Sequence, residues 1–218
     1  MLRALFEKTG NAVWISHLDL MRLFQRAFKR AGLPLTHTQG FNPRPSVSIA
    51  LPLSVGVESR CELLDFELDG EKIPCEQIMA RLEKTLVPGI RILDVYENGG
   101  KLKNLSLLDC EVTLEYDAGL NADAAEAVRE LFQRQSLMLE KKGKNGTQTV
   151  DIIPMIRRME VMAGECELTL AARVCCQNPT LNPMQLATAV EVYLPEYRAD
   201  HVRCRRLEIF NDGETVFR

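Results

Sequence analysis

Hydrophobic positions near the start of the chain recur at two spacings, which predict a strand followed by a helix. Residues 2–7 read as a short strand, and 9–11 form a turn signal. From Leu20 to Ala31 the apolar residues recur every three or four positions, the period of an amphipathic helix. Ser16 offers an N-cap oxygen and Gly32 suits the left-handed conformation, so the helix is expected between them.

The remaining apolar segments predict the element order βαββαβ twice. A polar, glycine-rich stretch at residues 98–100 is the best linker candidate. We therefore expect an α+β protein of tandem ferredoxin-like βαββαβ units, with antiparallel sheets and helices on one face. The first domain is expected over residues 1–98. The second, over 99–218, carries an extra hairpin that turns at Gly143-Lys144-Asn145-Gly146.

Composition indicates a globular chain. Among 218 residues, 46% are hydrophobic and 26% are charged, which is ordinary for a folded protein. No apolar run approaches the ~20 residues that span a bilayer, and charges interrupt the first eight residues. We expect a cytoplasmic protein with no membrane partner.

The seven cysteines are predicted to be reduced thiols. No pair has the C-x-x-C spacing that brings two thiolates to one metal ion, and no iron–sulfur cluster spacing is present. Cys61, Cys110, Cys166 and Cys204 lie in apolar stretches, where cysteine acts as a small hydrophobic residue. The sequence predicts no metal site and no cofactor.

Charge is distributed unevenly along the first half of the chain. Residues 1–50 hold seven basic and two acidic side chains, a net charge of +5, whereas residues 51–100 have a net charge of −5. Basic residues of the first predicted helix share the face opposite its apolar stripe. They are Arg22, Arg26, Lys29 and Arg30.

This basic face has two interpretations. Fixed cations on one side of a helix neutralise phosphates, which is the main contribution to nucleic-acid affinity. Every amphipathic helix also has a solvated polar face. The face lacks acidic residues after Asp19, whereas ordinary surface helices usually mix the two signs. The candidate partner is RNA or an acidic protein.

The loop at residues 38–46 is the second candidate binding element. Arg44 lies between two prolines, which enforce extended backbone geometry on either side of it. Gln39, Phe41 and Asn42 offer amide groups and an aromatic face suited to an unstacked base. Alternatively, Phe41 anchors the loop in the core, and Trp14 has the same ambiguity.

Two histidines are candidate catalytic residues. His17 at the start of the first helix and His37 offer an acid–base pair for metal-independent RNA cleavage. The alternative is that one packs or caps and the other lies at a strand end. The acidic residues between 58 and 71 are predicted to form a solvent face. They are Glu58, Glu62, Asp65, Glu67, Asp69 and Glu71.

Three uncommon strings carry a family resemblance. They are Phe6-Glu7-Lys8-Thr9-Gly10, Ile15-Ser16-His17-Leu18-Asp19-Leu20-Met21-Arg22, and Gln39-Gly40-Phe41-Asn42-Pro43-Arg44-Pro45 followed by Leu51-Pro52-Leu53-Ser54-Val55-Gly56-Val57-Glu58-Ser59. In this order they resemble the signature of the radical SAM-linked, DUF2344-type family. The resemblance implies a module fused to, or encoded beside, a radical SAM protein.

The first unit is also distantly similar to the ferredoxin-like RNA-binding halves of CRISPR repeat-processing endoribonucleases. Their glycine-rich signature near the C-terminus has no counterpart after Cys204-Arg205-Arg206-Leu207-Glu208. We therefore expect an accessory, non-catalytic module that presents RNA or an RNA–protein substrate to a separately encoded radical SAM enzyme. Candidate partners are that enzyme, RNA and ribosomal components. The alternatives are an endoribonuclease using His17 and His37, and a protein-docking scaffold.

Overall fold

The structure, a computed structural model, describes residues 1–143 and 146–218, which divide into two compact units. Unit 1 comprises residues 1–103 with Arg218, and unit 2 comprises residues 104–217. The predicted turn residues Lys144 and Asn145 lie outside the described residues.

Unit 1 has the predicted element order. Its elements are β1 (Leu2–Lys8), a 3₁₀ helix (Gly10–Trp14), α1 (His17–Arg30), β2 (Val47–Ile49), β3 (Val57–Phe66), α2 (Cys75–Glu83) and β4 (Ile90–Glu97). The strands pair in the order β4-β1-β3-β2, and each pair is antiparallel. A turn with Gly32 at φ +65° follows α1, as the sequence predicts.

One hydrophobic cluster joins both helices of unit 1 to its sheet. The ring of Phe24 on α1 meets that of Phe6 on β1 edge to face, with centroids 4.9 Å apart. Phe28 lies 4.8 Å from Phe66 on β3 by the same measure. Ile78 and Leu82 of α2 are fully buried in the same cluster. The apolar stripe of α1 therefore fixes the helix on the sheet and turns its opposite face outward.

The prediction that the acidic residues of 58–71 face solvent is wrong for two of them. Glu62 and Asp65 are 1% and 7% exposed, because residues 61–66 of β3 are all buried. Asp65 accepts two hydrogen bonds from the Arg3 guanidinium, at 2.5 Å from Nε and 2.9 Å from Nη2. A buried carboxylate needs such compensation, since desolvating an isolated charge is costly.

Unit 2 holds the second group of elements. They are β5 (Leu105–Glu115), α3 (Ala124–Phe132), β6 (Met138–Gly143), β7 (Gly146–Asp151), β8 (Ile156–Ala163), β9 (Glu167–Cys175), α4 (Met184–Tyr193) and β10 (His201–Asn211). Four strands pair antiparallel in the order β10-β5-β9-β8. β6 and β7 form a separate two-stranded sheet, which is the predicted extra hairpin. The mixed α+β class is confirmed.

Five of the seven cysteines are buried as predicted, and Cys75 is half-buried. Cys61, Cys110 and Cys204 are buried, but Cys166 is exposed at the turn before β9. All seven are free thiols. Among the described residues no helix has the length and apolarity needed to cross a membrane.

Candidate functional site

Helix α1 presents a row of cations to solvent. Ser16 caps the helix, since its hydroxyl accepts a hydrogen bond from the Asp19 backbone N–H at 3.2 Å. The Ser16 hydroxyl and the nearby Arg22 guanidinium keep the pKa of the Asp19 carboxyl below its usual value. Negative charge in the first turn also suits the helix dipole. The N-terminal end of the row is therefore partly neutralised, and the C-terminal end is not.

The four predicted cations of α1 are all exposed, but their partners differ. Arg22 pairs with Asp19 at 2.9 Å, and Arg30 donates to the Thr85 carbonyl at 2.6 Å. Arg26 and Lys29 form no ion pair or side-chain hydrogen bond within the described part of the chain. These two remain available for an external anion.

A closed loop follows α1 at residues 36–46. The Thr38 backbone N–H donates to the Arg44 carbonyl at 2.8 Å, and the Arg44 N–H donates to Thr38 Oγ1 at 3.0 Å. At the base of the loop, the Ser46 N–H donates to the Thr36 carbonyl at 2.8 Å. These bonds hold the two sides of the loop together, as the prolines flanking Arg44 also favour.

The tip of this loop is fully presented to solvent. Phe41 is 100% exposed, which rules out the interpretation that it anchors the loop in the core. Gln39, Asn42 and Arg44 are exposed as well. The Arg44 side chain makes no ion pair with any described residue. The loop therefore offers an aromatic face, two amides and a cation on a hydrogen-bonded stem.

A groove separates the C-terminal half of α1 from the loop. Its volume is about 520 Å³, and residues of the helix, of the turn after it and of the loop base line it. They are Gln25, Phe28, Lys29, Gly32, Leu33, Pro34, Leu35, His37 and Pro45. Lys29 and Pro45, the neighbour of Arg44, face the same groove. The groove therefore lies between the cations of α1 and the loop.

The structure places the two candidate catalytic histidines on different elements. His37 lines the groove with Lys29, whereas His17 is the first residue of α1. Gln25, which also lines the groove, follows His17 by eight positions, about 12 Å along a helix at 1.5 Å per residue. A direct proton transfer needs groups within about 3 Å. These positions do not favour direct proton transfer between His17 and His37, and the acid–base pair stays a prediction.

A buried lysine that sequence reasoning missed positions the start of α1. Lys8 is 1% exposed, and its ammonium donates to the carbonyls of Val13 at 3.1 Å and Ile15 at 2.8 Å. Burial lowers the pKa of Lys8, while Glu62 nearby acts in the opposite direction. The only signal was a lysine at the end of a strand, a position that usually indicates solvent exposure.

Lys8 also fixes the backbone beside an exposed indole. Trp14 is 69% exposed, and a Cβ on Gly56 would lie 3.4 Å from its ring. The Gly56 N–H donates to the Val13 carbonyl at 2.9 Å, which brings the segments together. Lys8, Ile15 and Gly56 belong to the three uncommon strings, which therefore lie close together beside Trp14.

The described residues contain no group of three histidine, cysteine, aspartate or glutamate side chains placed to hold a metal ion. Burial raises the pKa of the Cys176 thiol to about 11 and that of Cys204 to about 12, which keeps both protonated at neutral pH. Cys166 is the exposed thiol, at the turn before β9. These thiols add no reactive centre to the surface of α1 and its loop.

Comparison with solved structures finds fold-level likeness. A chain of the structure described as "Crystal Structure of a Cbf5-Nop10-Gar1 Complex" aligns with 94% of this chain at 8% identity and a TM-score of 0.51. This chain spans about half of that one, 48% of its length. A structure from Galdieria sulphuraria, described as an unknown protein, aligns at 13% identity over 94% of this chain and 96% of that one, with a TM-score of 0.27.

No individual curated protein matches the sequence of the chain. A family profile, in contrast, matches residues 1–183, which includes the uncommon strings, the α1 cations and the loop. The chain belongs to the family described as "Uncharacterized protein conserved in bacteria (DUF2344)".

Proposed function

We propose that this protein is an accessory RNA-binding module and not an enzyme. The observation that carries the proposal is that Lys29 of α1 and Pro45, the neighbour of Arg44 in the loop, line one groove. We call Arg26, Lys29, Arg44 and Phe41 the α1–loop surface. Its three cations are exposed and make no ion pair with described residues, and its aromatic ring is fully exposed. Proteins that bind single-stranded nucleic acid combine these two features, cations for phosphates and aromatic rings for bases.

The charge distribution around the α1–loop surface supports an anionic partner. The acidic segment 58–71 does not fold over the helix, since Asp65 pairs instead with Arg3 and the α1 cations contact none of these carboxylates. Asp19 is the acidic residue on the helix itself, at its far end. An RNA strand that meets the C-terminal half of α1 therefore encounters net positive charge, although Arg26 lies within the electrostatic range of Asp19.

The module is proposed to act with a separately encoded radical SAM enzyme in the cytoplasm. This part follows from the resemblance of the sequence strings to the radical SAM-linked family. The RNA, or an RNA–protein substrate such as a ribosomal component, would be held on the α1–loop surface for modification by the partner. We also infer that residues 1–98 and 99–218 are tandem ferredoxin-like domains, since both units have the strand order expected for that repeat.

A protein-docking role is the second candidate, and one observation favours it. Trp14 and Leu18 are 69% and 66% exposed and only four positions apart, and exposed apolar side chains that form a contiguous patch mark interaction sites. A scaffold of this kind predicts stable co-purification with the radical SAM protein and no RNA retention. The endoribonuclease alternative has no such support, since His37 lines the groove while His17 is the first residue of α1.

Direct binding tests the proposal. A fluorescein-labelled RNA decamer is titrated with the wild-type protein and with a variant carrying Arg26→Ala, Lys29→Ala and Arg44→Ala. We expect the variant to bind at least about tenfold more weakly at low salt. The matched control replaces three exposed cations of the same unit, Arg60→Ala, Arg81→Ala and Lys84→Ala, and is expected to bind as the wild type does. Equal affinity of both variants for the RNA would show that the RNA does not bind at the α1–loop surface.

A further inference from the structure

The groove between α1 and the loop is open and apolar at its base. Phe28 and Leu33, which are 0% and 1% exposed, lie behind its floor, whereas Pro34, Leu35 and Pro45 supply its accessible apolar surface. Pro34 and Pro45 add two rigid rings. A Cβ at Gly32 would meet no atom within 4 Å, so the backbone leaves this end unfilled. About 520 Å³ falls within the range of about 300–1,000 Å³ typical of small-ligand sites.

A few polar groups stand around this apolar base. Gln25 supplies an amide that both donates and accepts hydrogen bonds, and His37 supplies ring nitrogens. Lys29 supplies an ammonium group that makes no ion pair with described residues. Apolar walls with a small number of placed polar groups are the usual composition of a ligand site.

Charge complementarity restricts what can occupy the groove. Lys29 lines it, Arg26 lies three residues before Lys29 on the exposed side of α1, and Arg44 precedes the lining residue Pro45. A suitable occupant therefore has a flat, largely apolar part for the groove and negative charge on both sides of it. An unpaired nucleotide within a strand has this combination, since its base has π-faces and its neighbours supply phosphates.

We propose that the groove lined by Phe28, Lys29, His37 and Pro45 holds one unpaired base of single-stranded RNA, with the flanking phosphates against Lys29 and Arg44. This inference rests on the proposed function and specifies its ligand. Gln25 and His37 contact the edge of the inserted base, and Phe41 stacks on a neighbouring one. Because a base paired in a helix is not accessible to such a groove, duplex RNA is a poor ligand.

The test compares two probes of equal charge. One is a fluorescein-labelled decamer of adenosine, and the other is the same sugar–phosphate backbone without bases. The base in the groove and the base on Phe41 each add about 5–150-fold, so the wild-type protein is expected to bind the adenosine decamer at least about 25-fold more tightly. Gln25→Trp fills the groove from α1 without changing charge and is expected to reduce this preference at least about fivefold. Gln77→Trp, on exposed α2 surface, is the matched control and is expected to retain it.

The outcomes separate the groove from the proposed function. If Gln25→Trp keeps the full preference, the groove does not hold the base, although RNA binding stands. If the wild-type protein binds neither decamer, both inferences fail. If it then binds an acidic peptide that contains phenylalanine, the groove is a protein-docking site, which also overturns the present inference.

Photo-crosslinking provides a measurement that needs no variant. A uridine decamer with 4-thiouridine at one central position is irradiated with the wild-type protein, and the linked peptides are identified by mass spectrometry. We expect linkage within residues 25–45, at residues that line the groove. Linkage confined to the rest of the chain would overturn the inference even if Gln25→Trp failed to fold.

Discussion

Thr38 and Arg44 close the candidate binding loop through a reciprocal pair of hydrogen bonds. The Thr38 N–H donates to the Arg44 carbonyl at 2.8 Å, and Thr38 Oγ1 accepts from the Arg44 N–H at 3.0 Å. Both residues flank the tip that carries Phe41. The loop is thereby ordered before a ligand arrives, which lowers the entropic cost of binding.

Replacing Thr38 by valine should weaken RNA binding while leaving the fold intact. The valine keeps the shape of the side chain but removes the oxygen that accepts from Arg44. One net hydrogen bond contributes roughly 1 kcal/mol, so we expect about fivefold weaker binding of an RNA decamer. Anisotropy titration measures this change. Thr149→Val, at an exposed position of β7, is the control, and an unaltered affinity for Thr38→Val would show that loop order does not matter.

Phe41→Ala separates a binding role from a packing role. Because the ring is 100% exposed, its removal should change the free energy of unfolding by less than about 0.5 kcal/mol. The affinity of Phe41→Ala for single-stranded RNA should be about 5–150-fold lower than that of the wild type, whereas Phe41→Tyr should keep the wild-type affinity. Urea denaturation and anisotropy report the two quantities. A large loss of stability with unchanged affinity would mean that Phe41 packs in solution.

The sequence predicted the local features of this site and not its spatial relationships. The limits of α1 followed from Ser16 and Gly32, since capping and chain reversal depend on neighbouring residues only. The relation of His17 to His37 did not follow, because the intervening helix sets their separation. The sequence also did not predict the burial of Lys8. Its hydrogen-bond partners are backbone carbonyls, which every residue has, so no particular neighbouring residue type indicates them.

The same limit explains the error over the acidic segment. A strand that alternates charged and apolar residues usually exposes its charged side, but Glu62 and Asp65 are three positions apart and so lie on opposite faces of β3. In the structure residues 61–66 are buried throughout, and Asp65 is matched by Arg3, which lies 62 positions earlier. Long-range pairing of this kind is a property of strand register, which one sequence does not specify.

Breaking the Arg3–Asp65 pair should destabilise unit 1 strongly. Arg3→Met leaves the Asp65 carboxylate buried without its guanidinium, and loss of one partner of a buried pair costs about 3–5 kcal/mol. The double variant Arg3→Met with Asp65→Leu should recover part of that loss, because it leaves no buried charge without a partner. Urea unfolding measures both. A double variant less stable than Arg3→Met would contradict this account.

Thiol reactivity should distinguish Cys166 from the core cysteines. At pH 8, DTNB should modify exposed Cys166 rapidly, and Cys166→Ser should remove that phase. Cys176 should remain unreactive, since burial raises the pKa of its thiol to about 11 and keeps it protonated and enclosed. Rapid modification of several thiols in the folded protein would be inconsistent with the described core.

The salt dependence of RNA binding tests the central claim most directly. For single strands the logarithm of affinity falls with the logarithm of salt concentration by about 0.7 for each phosphate contact. Removal of Arg26, Lys29 and Arg44 should therefore reduce the magnitude of the slope by about 2 relative to the wild type. The control lacking Arg60, Arg81 and Lys84 should keep the wild-type slope. A wild-type affinity that does not change with salt would contradict the claim that these exposed cations bind RNA phosphates.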